Sequence, residues 1–176
     1  MSDISIEIKR LTEGSLPDLL QLQESVFVAL ERPEMLRRNS EAMLASCLAE
    51  PHVALGAWAG GRLVAAAIMY DPSVAPEEDL GHLLKAGEVR GLRCANFKLC
   101  MVSPDYRGRG LQQQMGQMLE GESCARGIEA LCATVAPDNE ASRRSLLKIG
   151  YRCGCRVVKY GYERDVYYKV LQASVG

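Results

Sequence analysis

The sequence predicts one mixed α/β domain, and three observations carry that expectation. Short strand-like runs alternate with amphipathic helical stretches in the order β, α, α, β, β, β, α, β, α, β, β. A Gly60-Gly61 pair joins two apolar runs as a tight hairpin. An apolar run at 97–102 breaks through a glycine-rich turn directly into a helical pattern. At 176 residues and 48% hydrophobic composition, the chain suits a single full core over 1–176 and is too short for two ordinary domains.

Residues 5–9 alternate polar and apolar as a first strand. Ser15-x-x-Asp18 with Pro17 then opens a helix in the manner of a capping box, with Leu16, Leu19, Leu20, Val26, Phe27 and Leu30 as its stripe. A second helix runs from about Asn39, places Met43, Leu44, Cys47 and Leu48 on one face, and is stopped by Pro51, which disfavours helical geometry at Glu50. Residues 52–58 and 62–70 form the two arms of the hairpin. From 71 to 92 the pattern weakens under Pro72, Pro76, Gly81, Gly87 and Gly91, with one short helix predicted near 77–85; this reads as a substrate-side loop. After the central strand at 97–102, Leu111, Met115, Met118 and Leu119 recur at helical spacing. Residues 130–136 are a strand, Pro137-Asp138-Asn139 starts a helix, and Gly150 ends it with Lys148 in the last turn. Strands at 151–159 and 162–170 turn about Gly161.

A net charge of −1 and a pI near 6.2 supply no basic field, which argues against nucleic acid as a partner. The longest uncharged apolar stretch, 64–70, is far short of a membrane span, and the first residues lack a basic-then-apolar signal pattern, so a cytoplasmic protein with no membrane partner is expected. Seven cysteines are an odd number in a chain that needs no staples, and reduced thiols are expected. Cys153 and Cys155, two apart on a strand, share a face, but with only His52 and His82 to help them no metal site is expected.

The segment Val102-Ser103-Pro104-Asp105-Tyr106-Arg107-Gly108-Arg109-Gly110-Leu111-Gln112 is the most informative in the chain. Gly108 and Gly110 let successive N–H groups converge at a helix N-terminus, a nest that suits a diphosphate. No Gly-Lys-Ser or Gly-Lys-Thr occurs, which removes the nucleoside-triphosphate loop, and Gln113 stands where the dinucleotide fingerprint needs its third glycine. Arg107-x-x-Gly110-x-Gln112 resembles motif A of the GNAT superfamily of acyl-CoA N-acyltransferases, Q/R-x-x-G-x-G/A. Asn139-Glu140-Ala141-Ser142, then Leu146, Leu147 and Gly150-Tyr151, resembles that family's second signature in order and spacing. Together they cover 94–160. Two positions depart: Gln112 replaces Gly or Ala, and Leu146 stands where many members carry a Tyr that protonates the departing thiolate.

The resemblance implies a central, mostly antiparallel sheet with flanking helices, in which the strand ending at Val102 and the one starting near Ala130 form a splayed parallel pair. It implies acetyl-CoA as co-substrate and no metal. Cys100, Met101 and Val102 would offer main-chain bonds to the pantetheine arm and the acetyl carbonyl. Arg107, Gly108, Arg109, Gly110, Leu111 and Gln112 would hold the diphosphate, Asn139 and Ser142 would reach from the other side, and Arg109, Arg143 or Arg144 would meet the 3′-phosphate. It implies an N-acetyltransferase acting by direct attack of a primary amine, on a small molecule or a protein. The alternative is a non-catalytic acyl-CoA sensor or scaffold, motivated by Leu146; a regulator using the same turn for ATP ranks third. Candidate bases are Glu88 and His82 in the irregular segment. Tyr160, Tyr162, Tyr167 and Tyr168 form a second pool, from which Tyr167 is put forward as catalytic. The oligomeric state is open, a homodimer included.

Overall fold

A computed structural model describes residues 4–33, 36–84, 87–159 and 161–172, without the side chain of Glu88. Among the described residues, seven strands form one sheet: β1 (Ile6–Arg10), β2 (Val53–Ala59), β3 (Arg62–Tyr70), β4 (Cys94–Val102), β5 (Ala130–Val135), β6 (Arg152–Lys159) and β7 (Tyr162–Val170), ordered β1-β2-β3-β4-β5-β7-β6. Every neighbouring pair is antiparallel except β4 and β5. Four helices flank it: α1 (Leu16–Val28), α2 (Glu41–Cys47), α3 (Leu111–Ala125) and α4 (Glu140–Lys148).

The two sheet faces carry separate cores. Leu111, Met115 and Leu119 of α3 bury themselves with Leu146 of α4 against one face, while Leu19, Leu22 and Val26 of α1 meet Leu44 and Cys47 of α2 on the other. Met118, one position off the stripe, is 40% exposed. Ala65, Ala66 and Ala67 of β3 are fully buried between these layers, and small side chains there let α1 and α3 approach the sheet closely. A third cluster joins Leu80 and Val89 to Cys132, Val166 and Tyr168, so the irregular segment covers the β5–β7 half of the sheet.

Four local expectations are corrected. Ser15 does not cap α1; its Oγ instead accepts the Thr12 N–H at 3.2 Å inside a 3-10 turn that precedes the helix. The second helix spans Glu41–Cys47, capped by Ser40, whose Oγ accepts from Met43 N–H at 3.1 Å, and it ends at Cys47, ahead of Pro51. No α-helix forms at 77–84. Pro72, Pro76 and Gly81 break the run into 3-10 turns at Pro72–Val74, Pro76–Glu78 and Leu80–Leu83, and the carboxylates of Asp71 and Asp79 draw the Ser73 and Gly81 amides into local bonds of 3.0 and 2.8 Å. Lys85 lies outside the described residues. Finally, Cys153 and Cys155 do not share a face. A bulge at Gly154 sets Cys153 opposite Tyr167 and Cys155 opposite Val166, so their thiols reach different layers.

Candidate functional site

The register between β4 and β5 decides the site. They pair only at Cys94 with Ala130, Ala95 with Leu131 and Asn96 with Cys132, and then separate. A cleft of about 850 Å³ opens in the gap, running from Phe97 and Thr134 to the turn before α3 and the start of α4. Lys98 marks the opening, because β4 carries an extra residue there against β3: Ile68 faces Leu99 and Met69 faces Phe97.

Beyond the bulge, β4 alternates its main-chain groups between β3 and the gap. Ser103 N–H donates to Val64 O at 2.8 Å, and with Val102 opposite Ala65 this makes Ser103 and Val64 a hydrogen-bonded pair. By alternation Met101 turns to β3, while Cys100 and Val102 present N–H and C=O to the gap. Met101 therefore differs from its sequence expectation: its amide serves the sheet and its side chain is buried in the α1 core. Cys100 offers no thiolate, since burial pushes its thiol up to about 12.

At the far end, Gly108 and Gly110 adopt φ of +76° and +72°, where side chains other than glycine's are strained, and a Cβ at either would stand in open space. Gly110 is the N-cap of α3 and its carbonyl accepts the first helical bond, from Gln114 N–H at 3.0 Å. Among the described residues, no protein acceptor receives the amides of 108–113. These donors lie at the positive end of the 15-residue α3, an arrangement chemically suited to an anion. Arg107, Gly108, Gly110, Leu111 and Gln112 line the cleft there, whereas Arg109 stacks its guanidinium 4.9 Å from the Tyr106 ring centroid outside that lining.

Asn139 and Ser142 face the cleft from α4 and are joined to each other, Asn139 Oδ1 accepting Ser142 N–H at 3.2 Å as the helix cap. Arg143 instead donates to Tyr167 Oη at 3.1 Å, and Arg144 pairs with Glu140 at 3.1 Å.

Of the proposed acid–base groups whose side chains are described, Tyr167 and His82 do not line the cleft. Tyr167 is 1% exposed in the α3 core, with its hydroxyl taken by Arg143. His82 projects into solvent 3.3 Å from Asp79 and borders a separate cavity beside Cys94. Glu88 sits in a 3-10 turn, Gly87–Val89; its side chain and Tyr160 lie outside the described residues. Leu146, 2% exposed, lines the cleft from α4.

A cluster that carries no motif lies at the opening of the gap. The Lys98 side chain is 7% exposed, with Nζ 3.7 Å from Glu78 and 4.7 Å from the Tyr70 ring centroid. Burial lowers its pKa, with Glu78 opposing. Arg37 approaches Glu78 at 4.0 Å, and Arg164 is 4% exposed nearby. A charged residue inside the apolar run Phe97-Lys98-Leu99 was the available signal; Arg37, Glu78 and Arg164 come from three other segments and gave none. Asn96 fixes the loop that brings Glu78 here, donating from Nδ2 to Glu78 O at 2.6 Å and accepting Leu80 N–H at 3.3 Å.

Among the described residues, no group of three or more His, Cys, Asp or Glu side chains is placed to hold a metal ion, and no helix is long and apolar enough to cross a membrane. All seven cysteines are free.

The sequence matches the family model described as the acetyltransferase (GNAT) family over residues 16–151. Solved structures share the fold. The ribosomal-protein-S18-alanine N-acetyltransferase from Escherichia coli superimposes with a TM-score of 0.70 at 19% identity, over 98% of each chain. An N-acetyltransferase from Staphylococcus aureus Mu50 gives 0.70 at 16% identity, over 96% of this chain and 99% of its own. The yncA protein from Salmonella typhimurium, solved with its cofactor acetyl-CoA, gives 0.67 at 14% identity, over 97% and 96%. No curated protein matches the sequence.

Proposed function

Because the chain belongs to the acetyltransferase (GNAT) family, we propose that it transfers the acetyl group of acetyl-CoA to a primary amine by direct attack on the thioester carbonyl. The observation that carries this is one continuous cleft with unbonded amides of 108–113 at one end and the parted strands β4 and β5 at the other. Acetyl-CoA fits it in kind: a diphosphate needs donors without acceptors, and an amide-bearing arm needs strand edges such as those of Cys100 and Val102. Gly108, Gly110, Leu111 and Gln112 would hold the phosphates through main-chain N–H groups, while Asn139 and Ser142 flank the arm from α4.

Alignment is the main contribution these residues make. Holding two reactants in an attacking geometry removes roughly 7–11 kcal/mol from a barrier, against about 10²- to 10⁴-fold for a positioned base. The acceptor is an amine on a small molecule or a protein, and the free cysteines suit a reducing, cytoplasmic setting.

Titration with acetyl-CoA, followed by thiol release across a panel of amines, tests this proposal; binding with steady amine-dependent release is expected. The buried Leu146 favours a second reading, an acyl-CoA sensor without turnover. Tight binding with no release across the panel would select it.

A further inference from the structure

Two half-exposed side chains meet across the mouth of the cleft. The guanidinium of Arg32, just beyond the end of α1, donates to the carboxylate of Asp138, just before α4, an ion pair between positions 106 residues apart in the chain. Their chain neighbours Glu31 and Asn139 line the cleft from opposite walls. The pair therefore closes a ring that starts where β4 and β5 are still bonded, at Cys94–Asn96 and Ala130–Cys132. One side of the ring follows β4 to Leu99 and Met101, which share a core with Leu22 and Val26 of α1, and continues through Leu30 and Glu31 to Arg32. The other follows β5 through Val135 and Pro137 to Asp138. Both sides line the cleft, Val26, Leu30 and Leu99 on one, Thr134 and Val135 on the other. Two strands that part leave a notch open at its wide end; the ion pair gives that end a rim.

The segment that carries Arg32 is an arch held at both feet. It leaves α1 at one end, and at the other Gln23 Nε2 donates to Asn39 O at 2.9 Å while Asn39 N–H donates to Gln23 Oε1 at 3.0 Å, with both side chains buried. Arg38 adds an ion pair with Glu24 of α1. Parting Arg32 from Asp138 thus releases the outer side of the arch and leaves its attachment to α1 intact. Ion pairs between exposed side chains change an equilibrium by up to about fivefold, weak enough to open repeatedly and strong enough to slow a ligand.

On the reading of the cleft as an acetyl-CoA site, we propose that Arg32 and Asp138 are a gate that bars the lateral path of the cofactor's arm into the gap between β4 and β5. The gate is closed in the empty chain and opens when the arm swings in or out. It therefore sets the rate of cofactor exchange and leaves the affinity nearly untouched, because it opposes entry and exit alike.

The test reads association and dissociation rates of acetyl-CoA on the immobilised full chain by surface plasmon resonance, beside a thermal melt. Arg32→Gln and, separately, Asp138→Asn should each raise both rates by about two- to fivefold and keep Kd within twofold of the parent. The two variants change the charge met by an anionic ligand in opposite senses, and on charge alone Arg32→Gln would slow association. Faster association in that variant is the signature of a lost gate. Exchanging the pair, Arg32→Asp with Asp138→Arg, should bring both rates back toward those of the parent. Unchanged rates in either folded single variant overturn the proposal. So does a rise in dissociation alone with Kd weakened by the same factor, which would make the pair a contact of the bound state. An exchange variant as fast as the single variants overturns it too. Each single variant decides by itself, so misfolding of one leaves the other as the test. Failure of acetyl-CoA to bind the parent chain would instead remove the reading of the cleft itself.

Discussion

Gly110 holds φ at +72° with open space where a Cβ would stand, so Gly110→Val meets strain and not a clash. The left-handed conformation costs a branched residue about 1–2 kcal/mol. At ~2–4 °C per kcal/mol for a chain of this size, the melting temperature should fall by about 2–8 °C, and a stability of about 5–15 kcal/mol leaves the domain folded. Binding should suffer far more. The valine side chain would enter the cleft that Gly110 lines, and the neighbouring amides would lose their common aim. Charge-assisted bonds contribute roughly 1.5–3 kcal/mol each, so losing two costs about 3–6 kcal/mol, a rise of ~10²- to 10⁴-fold in Kd. Calorimetric titration with acetyl-CoA beside a thermal melt reads both effects. Gly121→Ala is the control, in helical backbone with open space around its Cβ, and it should leave the affinity unchanged. A folded Gly110→Val protein that binds within threefold of the parent would refute the reasoning.

Asn139→Ala should lower the melting temperature by about 2–4 °C through loss of roughly 1 kcal/mol of capping, and it should weaken acetyl-CoA binding; Asn139→Asp should restore the melt because its carboxylate still caps α4. Gly56→Val should destabilise by about 1–3 kcal/mol in a denaturant melt, since the new Cβ would stand 2.5 Å from Leu11 and 2.6 Å from Leu63. Hydrogen bonds from Arg126 and Arg10 hold the exposed Glu50 carboxyl down to about 2 from an ordinary 4.5. A depressed carboxylate stabilises above its unfolded pKa and loses that effect as the pH falls through the folded one. Glu50→Gln should therefore melt slightly lower at pH 7, with the gap closing between pH 4.5 and 2 and shrinking in salt; a gap independent of pH would contradict this.

The glycine turn leading into α3 was legible because its requirement is local: two glycines at positive φ followed by a helical stripe at Leu111, Met115 and Leu119 are a matter of short-range sterics and periodicity. The hairpin at Gly60-Gly61 was legible for the same reason. The point at which β4 parts from β5 was not, because three paired residues and then a gap depend on how β3 and β7 hold their neighbours. The bulges at Lys98 and Gly154 each reassign side chains to the opposite face, and a strict two-residue alternation misses them. Tyr167 illustrates the limit for catalysis. A tyrosine near the chain's end satisfies the chemical requirement, yet its strand position buries it in the α3 core on Arg143. His82 was drawn to a solvent-facing turn by the Asp79 cap that replaced the expected helix.

The most direct measurement is a crystal structure of the chain with acetyl-CoA. The diphosphate should lie within hydrogen-bonding distance of the amides between Gly108 and Gln113, with the arm between β4 and β5 against the main chain of Cys100 and Val102. A diphosphate seated elsewhere, or an arm that does not enter the gap beyond Asn96 and Cys132, would contradict the account.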